Sequence, residues 1–256
     1  METRQSGGIG FITGRWPLDA AKSTLVFIHA SGGSAQFWQA QVQGAAVKAN
    51  TLALDLPGHG GSESGGKNTV EAYTTAIVEF LDHLDVPGPI PCGLSLGGAV
   101  AQQLLLDYPD RFSAGILIGT GAKLKVLPEI FETIENDYAG FVEMLCKLSS
   151  SQKTDPKQIQ LFREDLNRCN PDVTYGDFQA CNRFNVMARL GEIDVPVLIV
   201  SAEEDRLTPP KYADFLESAI SKTARFHIAD AGHIVALEKP QAVNQAIIDF
   251  IDDHGL

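Results

Sequence analysis

Short, mainly apolar runs recur along the chain, and turn-forming residues bound each of them. Within these runs apolar residues follow one another directly, which is typical of strands buried on both faces of a parallel sheet. The runs lie at 25–30, 51–56, 114–119 and 195–202, with shorter candidates that end at 91–93 and span 224–228. The pattern predicts a mostly parallel sheet that is covered on both faces.

Segments with the apolar period of an amphipathic helix lie between these strands. In residues 69–84 the apolar side chains share one stripe, which consists of Val70, Tyr73, Ile77, Phe80, Leu81 and Leu84. Further helices are predicted at 37–47, 96–106, 210–220 and 241–251. Strands that alternate with helices of this length indicate right-handed crossovers and therefore an α/β fold.

The alternation breaks between residues 122 and 190, where helix-like stretches follow one another without a strand. These stretches lie at 127–136, 139–148, 156–168 and 175–189. We therefore predict a core of residues 1–121 and 191–256 with a helical cap of residues 122–190 inserted into it. Such a cap would cover the C-terminal edge of the sheet, where open α/β sheets bind ligands.

One serine stands between glycines in the stretch Gly93-Leu94-Ser95-Leu96-Gly97, after a short apolar run and before a predicted helix. This G-x-S-x-G pattern at a strand–turn–helix junction is typical of a nucleophilic serine on a sharp turn. The turn forces the serine backbone toward positive φ, and the flanking glycines leave room for it. We predict that Ser95 is a nucleophile, since a serine that merely ends a strand needs no such setting.

A serine hydroxyl is a weak nucleophile until a base takes its proton and a third group orients that base. Where the serine lies on such a strand–turn–helix junction, the acid and then the histidine are expected to follow it in the sequence. Asp205 follows the predicted strand at 195–202, and His233 follows the one at 224–228. Because Ser95 also follows a strand, we expect these side chains at one edge of the sheet, as a Ser95–His233–Asp205 triad.

Other carboxylates lie near these motifs. Glu203 and Glu204 directly precede Asp205, and Asp230 is closer to the histidine in sequence. Closeness in sequence is a weak guide because triad residues come from separate loops. Asp205 is favoured because the Arg-Leu-Thr-Pro stretch after it can turn back toward the histidine.

The developing oxyanion of an acyl-transfer reaction needs hydrogen-bond donors. One is predicted to be the backbone N–H of Leu96, directly after the nucleophile. The second is expected in residues 29–34, where glycines let N–H groups converge, and we assign it to Ser31, with Ala30 as the alternative. His29 and His59 are interpreted as loop-stiffening residues with no part in proton transfer.

Two aromatic residues follow the oxyanion loop, and their role allows two interpretations. Phe37 and Trp38 could line the mouth of a pocket or pack in the core at the start of a helix.

Basic residues are frequent in the predicted cap, but acids interleave with them, which indicates a solvated face. An anionic acyl substrate held by one of these basic residues is the alternative.

The sequence resembles the α/β-hydrolase family over nearly its whole length. The strings that carry the resemblance are FIHASGGS, LALDLPGHGGS, CGLSLGGAVAQQLLLDYPDRF, VLIVSAEEDRLTPP and ADAGHIVALEKP. It is most similar to the small capped esterase and C–C hydrolase branches. The resemblance implies the α/β-hydrolase fold, the Ser95–His233–Asp205 triad, and neither a metal nor an organic cofactor. Many relatives have glycine where this chain has Ala30.

Charge and composition narrow the classes of partner. A net charge of −12 argues against nucleic acid or an anionic membrane as the main partner. None of the four cysteines, at 92, 146, 169 and 181, forms a C-x-x-C pattern or adjoins a histidine cluster, so reduced thiols are expected and a zinc site is not. The N-terminus lacks a signal-peptide layout and no apolar run could span a bilayer, which predicts a cytoplasmic protein.

These features predict a serine hydrolase that cleaves small to medium carboxylic esters through an acyl-enzyme on Ser95. The same triad could instead serve C–C bond hydrolysis of the meta-cleavage type, thioester or lactone hydrolysis, lyase chemistry or cofactor-free perhydrolysis. A non-catalytic ligand receptor is the alternative from another class, and it would be expected to have a defective triad or a blocked oxyanion loop. The oligomeric state stays open.

Overall fold

The computed structural model describes residues 2–63 and 65–256, and a central sheet organises them. Its strands are β1 (Glu2–Ser6), β2 (Ile9–Thr13), β3 (Thr24–Ile28), β4 (Asn50–Leu54), β5 (Pro89–Leu94), β6 (Gly115–Ile118), β7 (Val197–Ala202) and β8 (Thr223–Ile228). They lie in the order β1-β2-β4-β3-β5-β6-β7-β8. β2 pairs antiparallel with β1 and β4, whereas β3 to β8 are parallel to one another. The α/β-hydrolase fold expected from the sequence is confirmed.

From β3 onward, helices alternate with the strands, except between β6 and β7, where several helices follow one another. The helices are α1 (Gln39–Gly44), α2 (Val70–His83), α3 (Leu96–Asp107), α4 (Pro128–Asn136), α5 (Tyr138–Ser149), α6 (Pro156–Arg168), α7 (Pro171–Arg183), α8 (Pro210–Ala219), α9 (Val235–Glu238) and α10 (Pro240–His254). Local signals set many of the boundaries; for example, the Thr69 hydroxyl accepts a hydrogen bond from the Ala72 N–H at the start of α2. Among the described residues, no helix is long and apolar enough to cross a bilayer.

The apolar runs predicted as strands are confirmed to within about two residues. Residues of β3 to β7 are buried along their whole length because helices cover both faces of the sheet there. The apolar pattern does not predict the N-terminal hairpin of β1 and β2, since β1 is polar. Gly7 and Gly8, both at positive φ, form the turn of that hairpin.

Two predicted helices differ from the structure. Residues 37–47 form two 3-10 helices, Ala35–Trp38 and Ala45–Val47, around the short helix α1. The helix predicted at 175–189 begins earlier, at Pro171, and ends at Arg183. The Asn170 side chain accepts a hydrogen bond from the Asp172 N–H, so Asn-Pro starts the helix before its apolar period becomes visible.

Apolar clusters fill both faces of the sheet. Trp38 is fully buried and stacks on Phe27 with ring centroids 5.1 Å apart. Phe37 contacts Trp38 edge-on and also reaches Phe162 of α6. Trp38 is therefore a core residue, and Phe37 joins the core to the helices inserted between β6 and β7.

Candidate active site

Ser95 occupies the sharp turn between β5 and α3. Its φ is 55° and its ψ is −113°, a strained conformation for a residue with a side chain. Two hydrogen bonds with the end of β6 and the residues after it fix this turn. The Ser95 N–H donates to the Ile118 carbonyl at 3.1 Å, and Thr120 Oγ1 donates to the Ser95 carbonyl at 2.8 Å. The positive φ expected from the glycine-flanked sequence is thus present.

The flanking glycines are required by close backbone contacts. A Cβ atom on Gly93 would lie 2.0 Å from the Gly97 carbonyl oxygen, and one on Gly97 would lie 2.1 Å from the Ile28 carbonyl oxygen. Real Cβ atoms do not approach so closely, and a backbone carbonyl cannot rotate away as a flexible side chain can. The turn therefore excludes any residue but glycine at these two positions.

Gly97→Ala is expected to lower the free energy of unfolding by about 3 kcal/mol, because α3 must shift away from β3 to relieve the contact. Urea denaturation measures this change. Gly191→Ala is the matched control: an added Cβ there meets no atom within 4 Å, so a change within about 0.5 kcal/mol is expected. Equal effects of the two substitutions would contradict the steric explanation.

Asp205 and His233 form a buried pair at the same edge of the sheet. Asp205 Oδ2 lies 2.9 Å from His233 Nδ1, and the two side chains are 1% and 5% exposed. Asp205 Oδ1 accepts the N–H groups of Leu207 and Thr208, and Thr208 Oγ1 donates to Oδ2 at 2.8 Å. With Nδ1 donating to the carboxylate, Nε2 of His233 keeps its lone pair, as a general base requires.

The ionisation of Asp205 follows from these contacts. Burial opposes the charged form, but the charge and hydrogen bond of His233 and the donors from Thr208 lower the pKa of Asp205 below its ordinary value. The carboxylate is therefore charged at neutral pH. Asp230, the alternative acid, instead lies at the surface, where it pairs with Lys153.

The end of β6 connects the serine turn with the acid–base pair. Ile118 holds the Ser95 N–H, and the next residue, Gly119, packs directly against the pair. A Cβ on Gly119 would lie 3.3 Å from Asp205 Oδ2 and 3.5 Å from His233 Nδ1. Within the described residues the Ser95 hydroxyl makes no hydrogen bond, so the contact from Ser95 Oγ to His233 Nε2 remains a requirement of the triad hypothesis.

Glu238 of α9 fixes the loop that carries His233. One of its carboxylate oxygens accepts the Gly232 N–H at 2.7 Å, and the other accepts the Ser151 N–H at 2.8 Å and the Thr154 hydroxyl. The side chain is almost fully buried. The sequence alone does not predict this role, although Glu238 lies only five residues after His233.

Glu238→Gln is expected to lower kcat about 10-fold, because a displacement of roughly 1 Å in the His233 loop can cost up to about 10²-fold. It is also expected to destabilise the fold by about 1–3 kcal/mol, since an amide NH₂ would face a buried donor. Kinetics and thermal denaturation measure both effects. Glu132→Gln, at an exposed position of α4, is expected to change neither, and a similar loss in that variant would contradict the assignment.

The loop after β3 carries the predicted second oxyanion donor. In the described structure neither the Ser31 N–H nor the Leu96 N–H donates a hydrogen bond, so both could reach a ligand. His29 stiffens the loop: its Nε2 accepts the Leu56 N–H, and its Nδ1 lies 2.7 Å from the Ala30 carbonyl. Burial and the neighbouring His59 lower the pKa of His29 to about 3, so its ring is neutral.

Residues of the inserted helices contact this loop. Ser34 Oγ donates to Asp165 Oδ1 of α6 at 2.6 Å, and the Gly32 N–H donates to Asp177 Oδ2 of α7 at 2.8 Å. The Ser31 hydroxyl lies 3.6 Å from the Cys181 sulfur. All four cysteines are buried and free, and the described residues include no cluster of three or more metal-ligating side chains.

Comparisons with known proteins agree with this architecture. The model of the "Alpha/beta hydrolase family" matches residues 25–246. The chain is 26% identical to 3-oxoadipate enol-lactonase 2 of Acinetobacter baylyi, over 89% of this chain and 88% of that protein. It is 28% identical to the pimeloyl-[acyl-carrier protein] methyl ester esterase of Neisseria meningitidis, over 78% and 82%. The solved structure of a thermophilic esterase superposes with a TM-score of 0.84 at 31% identity, over 99% and 98%.

Proposed function

Because the chain belongs to the α/β-hydrolase family, we propose that it is a serine hydrolase that cleaves small to medium carboxylic esters. The observation that carries this proposal is the buried hydrogen bond of 2.9 Å between Asp205 and His233. It lies at the sheet edge where Ser95 leaves β5 in a strained turn. Relatives named as esterases and lactonases support the same class of reaction.

Acylation begins when Ser95 Oγ attacks the ester carbonyl carbon and His233 Nε2 takes the hydroxyl proton. The carbonyl π electrons move to oxygen and form a tetrahedral oxyanion. Asp205 holds the Nδ1–H of His233 and stabilises the imidazolium cation. When the oxyanion collapses, the bond to the leaving alkoxide breaks and His233 gives that oxygen its proton. The acyl group is then an ester of Ser95.

Deacylation repeats these steps with water. His233 takes a proton from water, whose oxygen attacks the acyl carbon, and the bond to Ser95 Oγ breaks as His233 returns the proton to the serine. The carboxylic acid leaves. The N–H groups of Leu96 and Ser31 receive the oxyanion in both halves of the reaction, because neither is engaged with another described residue.

We assign residues 122–190 to a cap over a core of residues 1–121 and 191–256. The contacts from Asp165, Asp177 and Cys181 to residues 31–34 support this division, since they join α6 and α7 to the oxyanion loop. The acyl group of a substrate must then pass beneath the cap to reach Ser95. Lactones are the second candidate substrates, because one relative with 26% identity is named an enol-lactonase.

A substrate panel tests the proposal. It consists of p-nitrophenyl esters with acyl chains of two to eight carbons, alkyl esters and lactones, followed by dye release or acid production. Hydrolysis of the esters by the wild-type protein is expected. A folded protein that hydrolyses none of the esters or lactones would contradict the proposal.

A further inference from the structure

Asp177 of α7 is a buried carboxylate of the cap, and it transfers no proton in the proposed reaction. We propose that it is a positioning residue: through the Gly32 N–H it holds the oxyanion loop so that the Ser31 N–H can meet the developing oxyanion. This inference rests on the proposed serine-hydrolase function. The contact between Asp177 and Gly32 would then affect catalysis in addition to joining the cap to the core.

Asp177 gathers donors from three separate segments of the core. Its Oδ2 accepts the Gly32 N–H at 2.8 Å and lies 2.9 Å from His59 Nε2, while its Oδ1 accepts the Tyr73 hydroxyl. These donors belong to the loop after β3, the loop after β4 and helix α2. The Asp177 side chain is fully buried, so bulk solvent does not reach the carboxylate.

The contact at Gly32 controls the orientation of Ser31. The Ser31–Gly32 peptide is planar, so fixing the Gly32 N–H restrains the rotation between the two peptide planes that flank Ser31. Gly32 itself has a φ of +67°, which gives the loop its sharp turn. A Cβ there would lie 2.9 Å from Leu166 Cδ2 and 3.3 Å from Thr174 Oγ1. The cap therefore packs directly on the peptide that follows the proposed donor.

The geometry around His59 makes Asp177 part of an ion pair. His59 Nδ1 faces the Pro57 carbonyl at 3.2 Å and Nε2 faces Asp177, so both ring nitrogens carry protons. Burial acts to lower the pKa of His59, but the Asp177 carboxylate raises it well above the ordinary value. The other titratable groups near this ring are Tyr73, Cys169, His29 and Asp55. The His59 cation therefore compensates the buried negative charge that orders Gly32.

Asp177→Asn is the most direct test, because it retains the size of the side chain and one acceptor oxygen but removes the charge. The amide NH₂ would face one of the three donors, so the arrangement around Gly32 must relax. The matched control is Asp165→Asn. Asp165 is also a buried carboxylate of the cap, and it also bonds the loop, but through the Ser34 hydroxyl at 2.6 Å, away from the Ser31 peptide.

Kinetics of p-nitrophenyl ester hydrolysis provide the first readout. Loss of one oxyanion donor costs about 10²- to 10³-fold in kcat, so a displaced donor in Asp177→Asn is expected to cost about 10- to 100-fold with little change in KM. Asp165→Asn is expected to stay within about 3-fold of the wild-type kcat. A merely structural contact would lower thermal stability in both variants and leave kcat of the folded protein unchanged.

Amide hydrogen exchange at Ser31 and Gly32 is the second readout and needs no substrate. Exchange at Gly32 is expected to be at least about 10-fold faster in Asp177→Asn and unchanged in Asp165→Asn. Nitrogen NMR of His59 is expected to show two protonated ring nitrogens at neutral pH in the wild-type protein and one in Asp177→Asn. Equal kcat and equal Gly32 exchange in the two variants would overturn the inference.

Failure of the proposed function gives a different result. If the wild-type protein hydrolyses none of the esters or lactones, that function is contradicted, and exchange at Gly32 alone decides whether Asp177 holds the loop. Should Asp177→Asn fail to fold, His59→Gln retains a donor to Asp177 but removes the cation. A 3- to 10-fold fall in kcat with faster Gly32 exchange is then expected, and wild-type values of both would overturn the inference.

Discussion

Ser95→Ala is expected to lower kcat for ester hydrolysis by about 10⁶-fold, because the members of a triad act as a unit and the nucleophile has no substitute. The fold is expected to stay intact. The Ser95 hydroxyl makes no hydrogen bond in the described structure, and alanine bears the same backbone strain at a φ of 55°. The free energy of unfolding is therefore expected to change by no more than about 0.5 kcal/mol.

Steady-state kinetics and urea denaturation of the same preparation test this prediction. A folded Ser95→Ala protein with kcat within 10-fold of the wild-type value would remove Ser95 from the reaction. Thr120→Val is a useful companion variant, because it deletes the hydrogen bond that holds the Ser95 carbonyl and leaves the nucleophile in place. It is expected to retain most of the activity while losing about 1 kcal/mol of stability.

Asp205→Asn is expected to lower kcat by about 10⁴-fold. An amide NH₂ in place of Oδ2 would donate to His233 Nδ1 and move the ring proton to Nε2, where it blocks the base. The Leu207 and Thr208 N–H groups bond to the other oxygen, so the loop is expected to keep its shape. Asp230→Asn is the matched control: that residue pairs with Lys153 at the surface, and kcat is expected to stay unchanged.

The same pair predicts a pH dependence of stability. The pKa of Asp205 is lower in the folded protein than its ordinary value of 3.8. Its contribution to folding is therefore present above that value and is lost as pH falls through the lower folded pKa. The stability difference between wild type and Asp205→Asn, measured by urea denaturation, is expected to shrink as pH falls below about 4. A difference that grows as pH falls below about 4 would contradict the lowered pKa of Asp205.

Residues of the proposed triad could be predicted because their signals are local. Glycines at fixed positions around Ser95 are demanded by contacts within a strand–turn–helix unit, so the sequence of that unit alone indicates a strained turn. Asp205 and His233 each follow a strand, and parallel strands bring their C-terminal ends to one edge. The choice between Asp205 and Asp230 depended on loop direction, and in the structure Asp205 contacts the histidine.

Contacts made by the inserted helices could not be predicted. Asp177 lies 118 residues from His59 and 145 from Gly32 in sequence, and no local pattern indicates that they meet. The hydrogen bond from the Ser151 N–H to Glu238 spans 87 residues, so it could not be predicted from a local pattern either. Helix α7 begins at Pro171, but the apolar pattern predicts a start at residue 175, because the apolar period is weak in the first turn of a helix.

Labelling with an alkyl fluorophosphonate tests the central claim most directly, since this probe reacts fastest with a serine that a base activates beside an oxyanion hole. Intact-protein mass and peptide mapping of the wild-type chain are expected to locate a single adduct on Ser95. The Ser95→Ala protein is expected to stay unlabelled, and Asp205→Asn to label far more slowly. A folded wild-type protein that takes up no probe, or carries it on another residue, would contradict the account.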